Sequence, residues 1–174
     1  VGQIVVVGGV RRSAMISLSN LDDDLMRHAK SGKWWDTAPH RQLANNSVAY
    51  TEKPNMETFM REWLALVESK SGERGIFNRE ASRKQAAKND RRDPYQEFGT
   101  NPCSEIILRP YQFCNLTEVV VRATDTIEDL ERKVRMATIL GTIQSTYTKF
   151  PYLRKVWQRN TEEERLLGVS LTGI

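Results

Sequence analysis

Asn101-Pro102-Cys103-Ser104-Glu105 sets an amide, a thiol and a carboxylate within one short run. Pro102 disfavours helix at Asn101, so the run is expected to be extended. In an extended chain alternate side chains share a face, and Asn101, Cys103 and Glu105 then point toward one small substrate. The inert reading of the same residues makes Cys103 a small core side chain, Asn101 a turn former and Glu105 a surface charge, because free cysteines are among the most buried residues. Composition alone favours the inert reading.

Other groups also offer chemistry. Gly8-Gly9-Val10-Arg11-Arg12-Ser13 joins paired glycines to paired arginines between two β-compatible runs. The guanidinium donors of Arg11 and Arg12 suit nucleotide phosphate or base edges, and an exposed basic turn is the other reading. Asn45, Asn46 and Ser47 offer amide and hydroxyl donors to a substrate phosphate or ribose, or else turn the chain before a strand at 48–50. Cys103 and Cys114 are too few to staple a secreted domain, and they form no Cys-x-x-Cys pair. That usage points to a reducing, cytoplasmic compartment, with a structural disulfide between the two as the alternative. His28 and His40 lie apart in sequence, so no metal site is expected.

These side chains must be positioned by regular elements. Asp22-Asp23-Asp24 starts a short helix to Lys30, with acidic residues where the helix dipole favours them, and Ser31-Gly32 ends it. From Asn55, the residues Met56, Phe59, Met60, Trp63, Leu64 and Val67 recur on one helical face, with Pro54 before and Gly72 after. A second helix from Thr126 carries Ile127, Leu130, Val134, Ala137, Ile143 and Tyr147, and Gly141 is a point where it bends or weakens. Thr161 and Glu164 have the spacing of a capping box for a third, shorter helix. Residues 97–108 and 113–121 lie between helices, and the second run is rich in β-branched residues and expected to be a buried strand. This order favours an α/β assembly with parallel strands over a helical bundle.

The chain has 174 residues and a net charge of +4, spread along its length, which favours anionic ligands only weakly. The densest basic stretch, 79–92, lacks the interleaved aromatics of a single-strand binding platform, so it reads as a solvated helix. No apolar run approaches the roughly 20 residues of a membrane span, and neither a membrane nor a direct nucleic-acid partner is expected. A non-catalytic nucleotide- or nucleic-acid-binding module is nonetheless the rival from another class, and it would tolerate loss of Cys103. The opening Val1 and the apolar close at 166–174 suggest a segment of a longer protein.

The stretch 98–121, with Asn101-Pro102-Cys103-Ser104-Glu105 followed by Cys114, closely resembles the active-site loop of class II, adenosylcobalamin-dependent ribonucleotide reductases. Its spacing is most like that of the monomeric enzymes that reduce ribonucleoside triphosphates. Gly8-Gly9-Val10-Arg11-Arg12-Ser13-Ala14 resembles the family's specificity loop, between allosteric effector and substrate base. Arg41-Gln42-Leu43-Ala44-Asn45-Asn46-Ser47-Val48 and Gly168-Val169-Ser170-Leu171-Thr172-Gly173 resemble further family segments, whereas 73–93 is weakly similar. The resemblance implies an α/β fold that is part of a ten-stranded α/β barrel. It makes 1–174 a single incomplete segment, with strand, specificity loop and strand at 1–21 and the finger loop and following strand at 97–121.

The resemblance also implies roles. Cys103 would carry a thiyl radical, Glu105 would act as general base and Asn101 would orient the ribose hydroxyls. Cys114 would be one of a reducing pair whose other cysteine lies outside this sequence. Gly9, Arg11, Arg12 and Ser13, with Asn45, Asn46 and Ser47, would serve substrate or effector binding. Adenosylcobalamin is the implied cofactor; a ribonucleotide substrate, a deoxynucleotide effector and a thioredoxin-like reductant are the implied partners. A class II diphosphate reductase is the nearest enzymatic alternative.

Overall fold

The computed structural model describes residues 14–173, and the expected loop at 8–13, with Gly9, Arg11, Arg12 and Ser13, lies outside the described residues. The chain is α/β and divides into two compact units after Ile107.

In the first unit, β1 (Ile16–Ser19), β2 (Asn45–Tyr50) and β3 (Gly75–Asn78) form a parallel sheet in sequence order. Parallel neighbours need crossover connections. The first holds α1 (Asp24–Arg27), α2 (Trp34–Thr37) and a 3-10 turn at Pro39–Leu43. The second is α3 (Met56–Ser69), and α4 (Arg79–Ala87) follows β3. The central strand β2 forms the core, with Val48, Ala49 and Tyr50 all buried. A Cβ at Gly75 would lie 2.8 Å from Ser47 Oγ on the neighbouring strand, so a larger residue there would require the serine hydroxyl to turn away.

The helix α3 begins where the sequence places it, since the Asn55 side chain accepts from the Thr58 N–H at 2.8 Å. It ends at Lys70, which adopts a left-handed conformation two residues before the expected glycine. Its orientation is the surprise. The apolar stripe Met56, Met60, Trp63, Leu64 and Val67 is exposed, whereas Glu62 and Ala65 are buried. The buried Arg74, immediately before β3, explains which side faces inward: a buried guanidinium needs an anion, and Glu62 supplies it. Burial alone would raise the Glu62 pKa, but hydrogen bonds and charge from Arg74 and Arg27 outweigh it and hold the carboxyl below its ordinary value.

Two expectations here need correction. The acidic-led helix is shorter than predicted: α1 stops at Arg27 and residues 28–30 form turns. Asn45, Asn46 and Ser47 lie within β2, not in a turn before it. The basic stretch is helical only in its first part: α4, capped by Asn78 and packed through Ser82 and Ala86, ends at Ala87, and residues 88–92 are turn and loop.

Short strands β4 (Gly99–Thr100) and β5 (Ile107–Leu108) flank residues 101–106. The second unit then holds β6 (Asn115–Val120), α5 (Ile127–Ser145), α6 (Lys155–Glu164) and β7 (Leu167–Thr172), with β6 and β7 parallel. Expected to be a buried strand, β6 is buried only in part: Asn115 and Val119 are buried and Leu116 and Val120 are exposed. Thr126 and Asp129 form the capping box of α5. This helix packs on β6 and β7 through the small residues Ala137, Gly141 and Ser145, which recur at the four-residue spacing of one face. Gly141 neither ends nor interrupts it. A Cβ at that position would collide with the Leu167 side chain, so the glycine permits close approach of helix and strand.

The expected capping box at Thr161 and Glu164 is not a helix start. Those residues lie in the last turns of α6, and Thr161 Oγ1 donates to the Trp157 carbonyl at 2.8 Å. Among the described residues, no helix is long and apolar enough to cross a membrane.

Candidate active site

Cys103 lies in the segment between β4 and β5, and the segment is a turn, not the extended strand the sequence suggested. The Ser104 N–H donates to the Asn101 carbonyl at 2.9 Å, and Ser104 has a φ of 68°. Alternation therefore does not align Asn101, Cys103 and Glu105. The reason is local: the amide oxygen of Asn101 captures the Ile106 N–H at 3.0 Å and folds the run back on itself. With Oδ1 used inside the loop, the Nδ2 donors of Asn101 make no hydrogen bond among the described residues.

The turn leaves its reactive side chains open. Cys103 is an exposed thiol, and Glu105 is exposed two residues later. The inert reading of Cys103 as a buried core residue does not hold. A donor from the sheet reaches the turn, because Asn45 Nδ2 bonds the Pro102 carbonyl at 2.8 Å.

Asn46 and Ser47 face different surroundings. Asn46 is buried; its Nδ2 donates to the Met26 carbonyl at 2.8 Å and its N–H to Glu73 Oε2 at 3.0 Å. Glu73 also binds the buried ammonium of Lys30 at 2.9 Å. Ser47 is buried, and its carbonyl accepts from Ser19 Oγ at 3.3 Å. The structure thus ties Asn45 to the Cys103 turn and places Asn46 and Ser47 inside the sheet.

Cys114, half-buried in the second unit, immediately precedes β6. The approach to it, 109–113, is fastened to α6 by residues that, apart from Glu164, local spacing did not single out, and Glu164 stood out only in a different role. Asn160 Nδ2 donates to the carbonyls of Pro110 at 2.9 Å and Tyr111 at 3.3 Å. Gln112 Nε2 donates to Glu164 at 2.5 Å, and Arg109 pairs with Glu163 at 2.5 Å. Tyr111 has a φ of 58°, and Arg154 stacks over its ring. Beyond Cys114, the buried Asn115 side chain bonds the Leu166 carbonyl at 3.1 Å. These partners lie about fifty positions away, so no sequence motif could announce them; a Gln and an Asn flanking a cysteine were the only local hint.

Among the described residues, no group of three His, Cys, Asp or Glu side chains could hold a metal ion. Taken by itself, the first unit presents an exposed thiol, a carboxylate and two free amide donors on one pinned turn. Such a set suits a small hydroxylated substrate.

Comparison with known proteins gives a consistent result. The chain is similar over its whole length to adenosylcobalamin-dependent ribonucleoside-triphosphate reductases. It is 35% identical to that of Lacticaseibacillus paracasei, 34% to that of Lactobacillus acidophilus and 32% to that of Lactobacillus leichmannii. In each case the match covers 100% of this chain, which spans 23% of the relative's length. No family model and no solved structure matches.

Proposed function

The chain belongs to the adenosylcobalamin-dependent ribonucleoside-triphosphate reductase family, and on that premise we propose that it carries the radical-bearing part of the catalytic centre. The reaction is the conversion of a ribonucleoside triphosphate to its deoxyribonucleotide. The observation that carries the reading is the exposed Cys103 thiol on a turn fixed both internally and from the sheet.

Adenosylcobalamin, when bound, supplies the initiating one-electron chemistry. The residues present fit it, because the Cys103 thiol is open to a hydrogen-abstracting group. Cys103 gives up its hydrogen atom and its sulfur then takes the hydrogen from the ribose 3′ carbon, a step that requires close and fixed placement. Glu105 accepts the proton of the 3′ hydroxyl as that carbon becomes a radical. The Nδ2 donors of Asn101 hold the ribose hydroxyls while the 2′ oxygen leaves as water. Cys114 and a second thiol supply two electrons and two hydrogens, one as the proton that completes the departing water and one to the 2′ carbon, and end as a disulfide; Glu105 returns its proton to the 3′ oxygen as Cys103 returns its hydrogen to the 3′ carbon. A thioredoxin-like dithiol then restores the pair.

In this reading, the chain forms part of a ten-stranded α/β barrel and 101–106 is its finger loop. Gly9, Arg11, Arg12 and Ser13 belong to the loop that reports a bound deoxynucleotide effector to the substrate base. The test is deoxyribonucleotide formation by the full-length protein with adenosylcobalamin, a dithiol and each ribonucleoside triphosphate in turn. Product from triphosphates is the expected result; product from diphosphates alone, or none at all, would overturn the reading.

A further inference from the structure

We propose that Asn45 is a positioning residue that holds the Cys103 turn, not a ligand of the nucleotide; the inference rests on the assignment of Cys103 above. Asn45 is the first residue of β2, and its backbone N–H is already committed to the Met15 carbonyl at 2.8 Å. The strand behind it is fully buried, so the Cα of Asn45 is fixed by the sheet. From that anchor its Nδ2 donates to the carbonyl of Pro102, the residue before Cys103, at 2.8 Å and across 57 positions of sequence.

The other locks on the turn are internal, from Asn101 to Ser104 and Ile106. They set its shape and not its location. Among the described residues, the Asn45 bond is the one hydrogen bond that ties 101–106 to the sheet. An exposed thiol beside a carbonyl so held keeps its place while remaining accessible. For a nucleotide to recruit the same Nδ2 hydrogen, it would have to break a partly buried bond. Placement matters for a hydrogen-atom transfer, since an error of about 1 Å caused by a residue that never touches substrate can cost ~100-fold in rate.

The test uses the full-length protein with Asn45→Ala, Asn45→Asp and Asn45→Gln. Alanine removes the donor, an ionised aspartate opposes the carbonyl, and glutamine keeps an amide donor on a longer arm. Three quantities are read: kcat with saturating ribonucleoside triphosphate, equilibrium nucleotide affinity without cofactor, and the rate at which iodoacetamide alkylates Cys103. In the alanine and aspartate variants, kcat is expected to fall by roughly 10- to 100-fold with altered Cys103 alkylation, while nucleotide affinity stays within about twofold. Glutamine should recover part of the loss. Weakened nucleotide affinity with kcat preserved would make Asn45 a ligand and overturn the inference, as would wild-type behaviour of all three variants. A Cys103→Ser control separates the two levels: full activity there sinks the active-site assignment itself, whereas loss there with neutral Asn45 variants sinks only this inference.

Discussion

Arg74 grips Glu62 at both carboxylate oxygens, at 2.5 and 2.8 Å, and both side chains are almost completely withdrawn from solvent. Arg27 adds a third bond at 3.1 Å, and Arg74 continues to Ser19 Oγ at 2.8 Å and the Asn20 carbonyl at 3.0 Å. Helix α3, the entry to β3 and the end of β1 are therefore joined through one buried ionic cluster.

Removing one partner should leave a buried charge uncompensated. Glu62→Gln or Arg74→Met in the full-length protein is expected to cost about 3–5 kcal/mol. Thermal unfolding measures the loss, and faster amide hydrogen exchange in β1 and β3 locates it. An unchanged melting temperature would show that the cluster does not hold these elements together.

The same cluster sets an acid limit. The Glu62 pKa is depressed in the folded state, so its contribution to stability is fully present above the ordinary value of 4.5 and is lost as pH falls through the lower folded value. Wild type should therefore lose stability below about pH 4.5 more steeply than Glu62→Gln, and parallel stability profiles would contradict this.

Gly141 and Leu167 make a signed prediction in the second unit. Alanine in place of glycine normally favours a helix by about 1 kcal/mol, but here its Cβ meets the Leu167 Cδ1 position at 2.1 Å. Overpacking of this kind costs about 1–3 kcal/mol, so Gly141→Ala should be net destabilising. In a Leu167→Ala background the same change should become stabilising. A double-mutant cycle checks the change of sign.

Glu105 provides the kinetic counterpart. Glu105→Gln retains size and hydrogen bonding but cannot accept the proton, and kcat is expected to fall by roughly 100- to 10,000-fold with KM little changed. A rise in KM at constant kcat would instead make Glu105 a binding residue.

Sequence reasoning reached the elements better than their facing. Caps such as Asn55 and Thr126 and the parallel α/β order were legible because they depend on near neighbours. Which side of α3 turns inward was not, because that depends on Arg74, a partner supplied just before the next strand. Thr161 and Glu164 matched a helix-start pattern, yet their bonds are to Trp157 within α6 and to Gln112 in the loop before β6. At the site, Cys103, Glu105 and Asn101 stood out by residue type. The turn that carries them did not, because Asn101 captures a backbone N–H instead of leaving the run extended. Asn45 was visible only as a donor; its partner Pro102 is far off in sequence.

The most direct measurement is deoxyribonucleotide formation by the full-length protein and its Cys103→Ser variant, with adenosylcobalamin, a dithiol reductant and ribonucleoside triphosphate, alongside nucleotide affinity for both. Serine retains the size and exposure of the thiol but not its readily abstracted hydrogen. The expected result is turnover in the wild type and none above background in the variant, with nucleotide affinity unchanged. Turnover that survives Cys103→Ser would contradict the assignment of Cys103 as the radical-bearing residue.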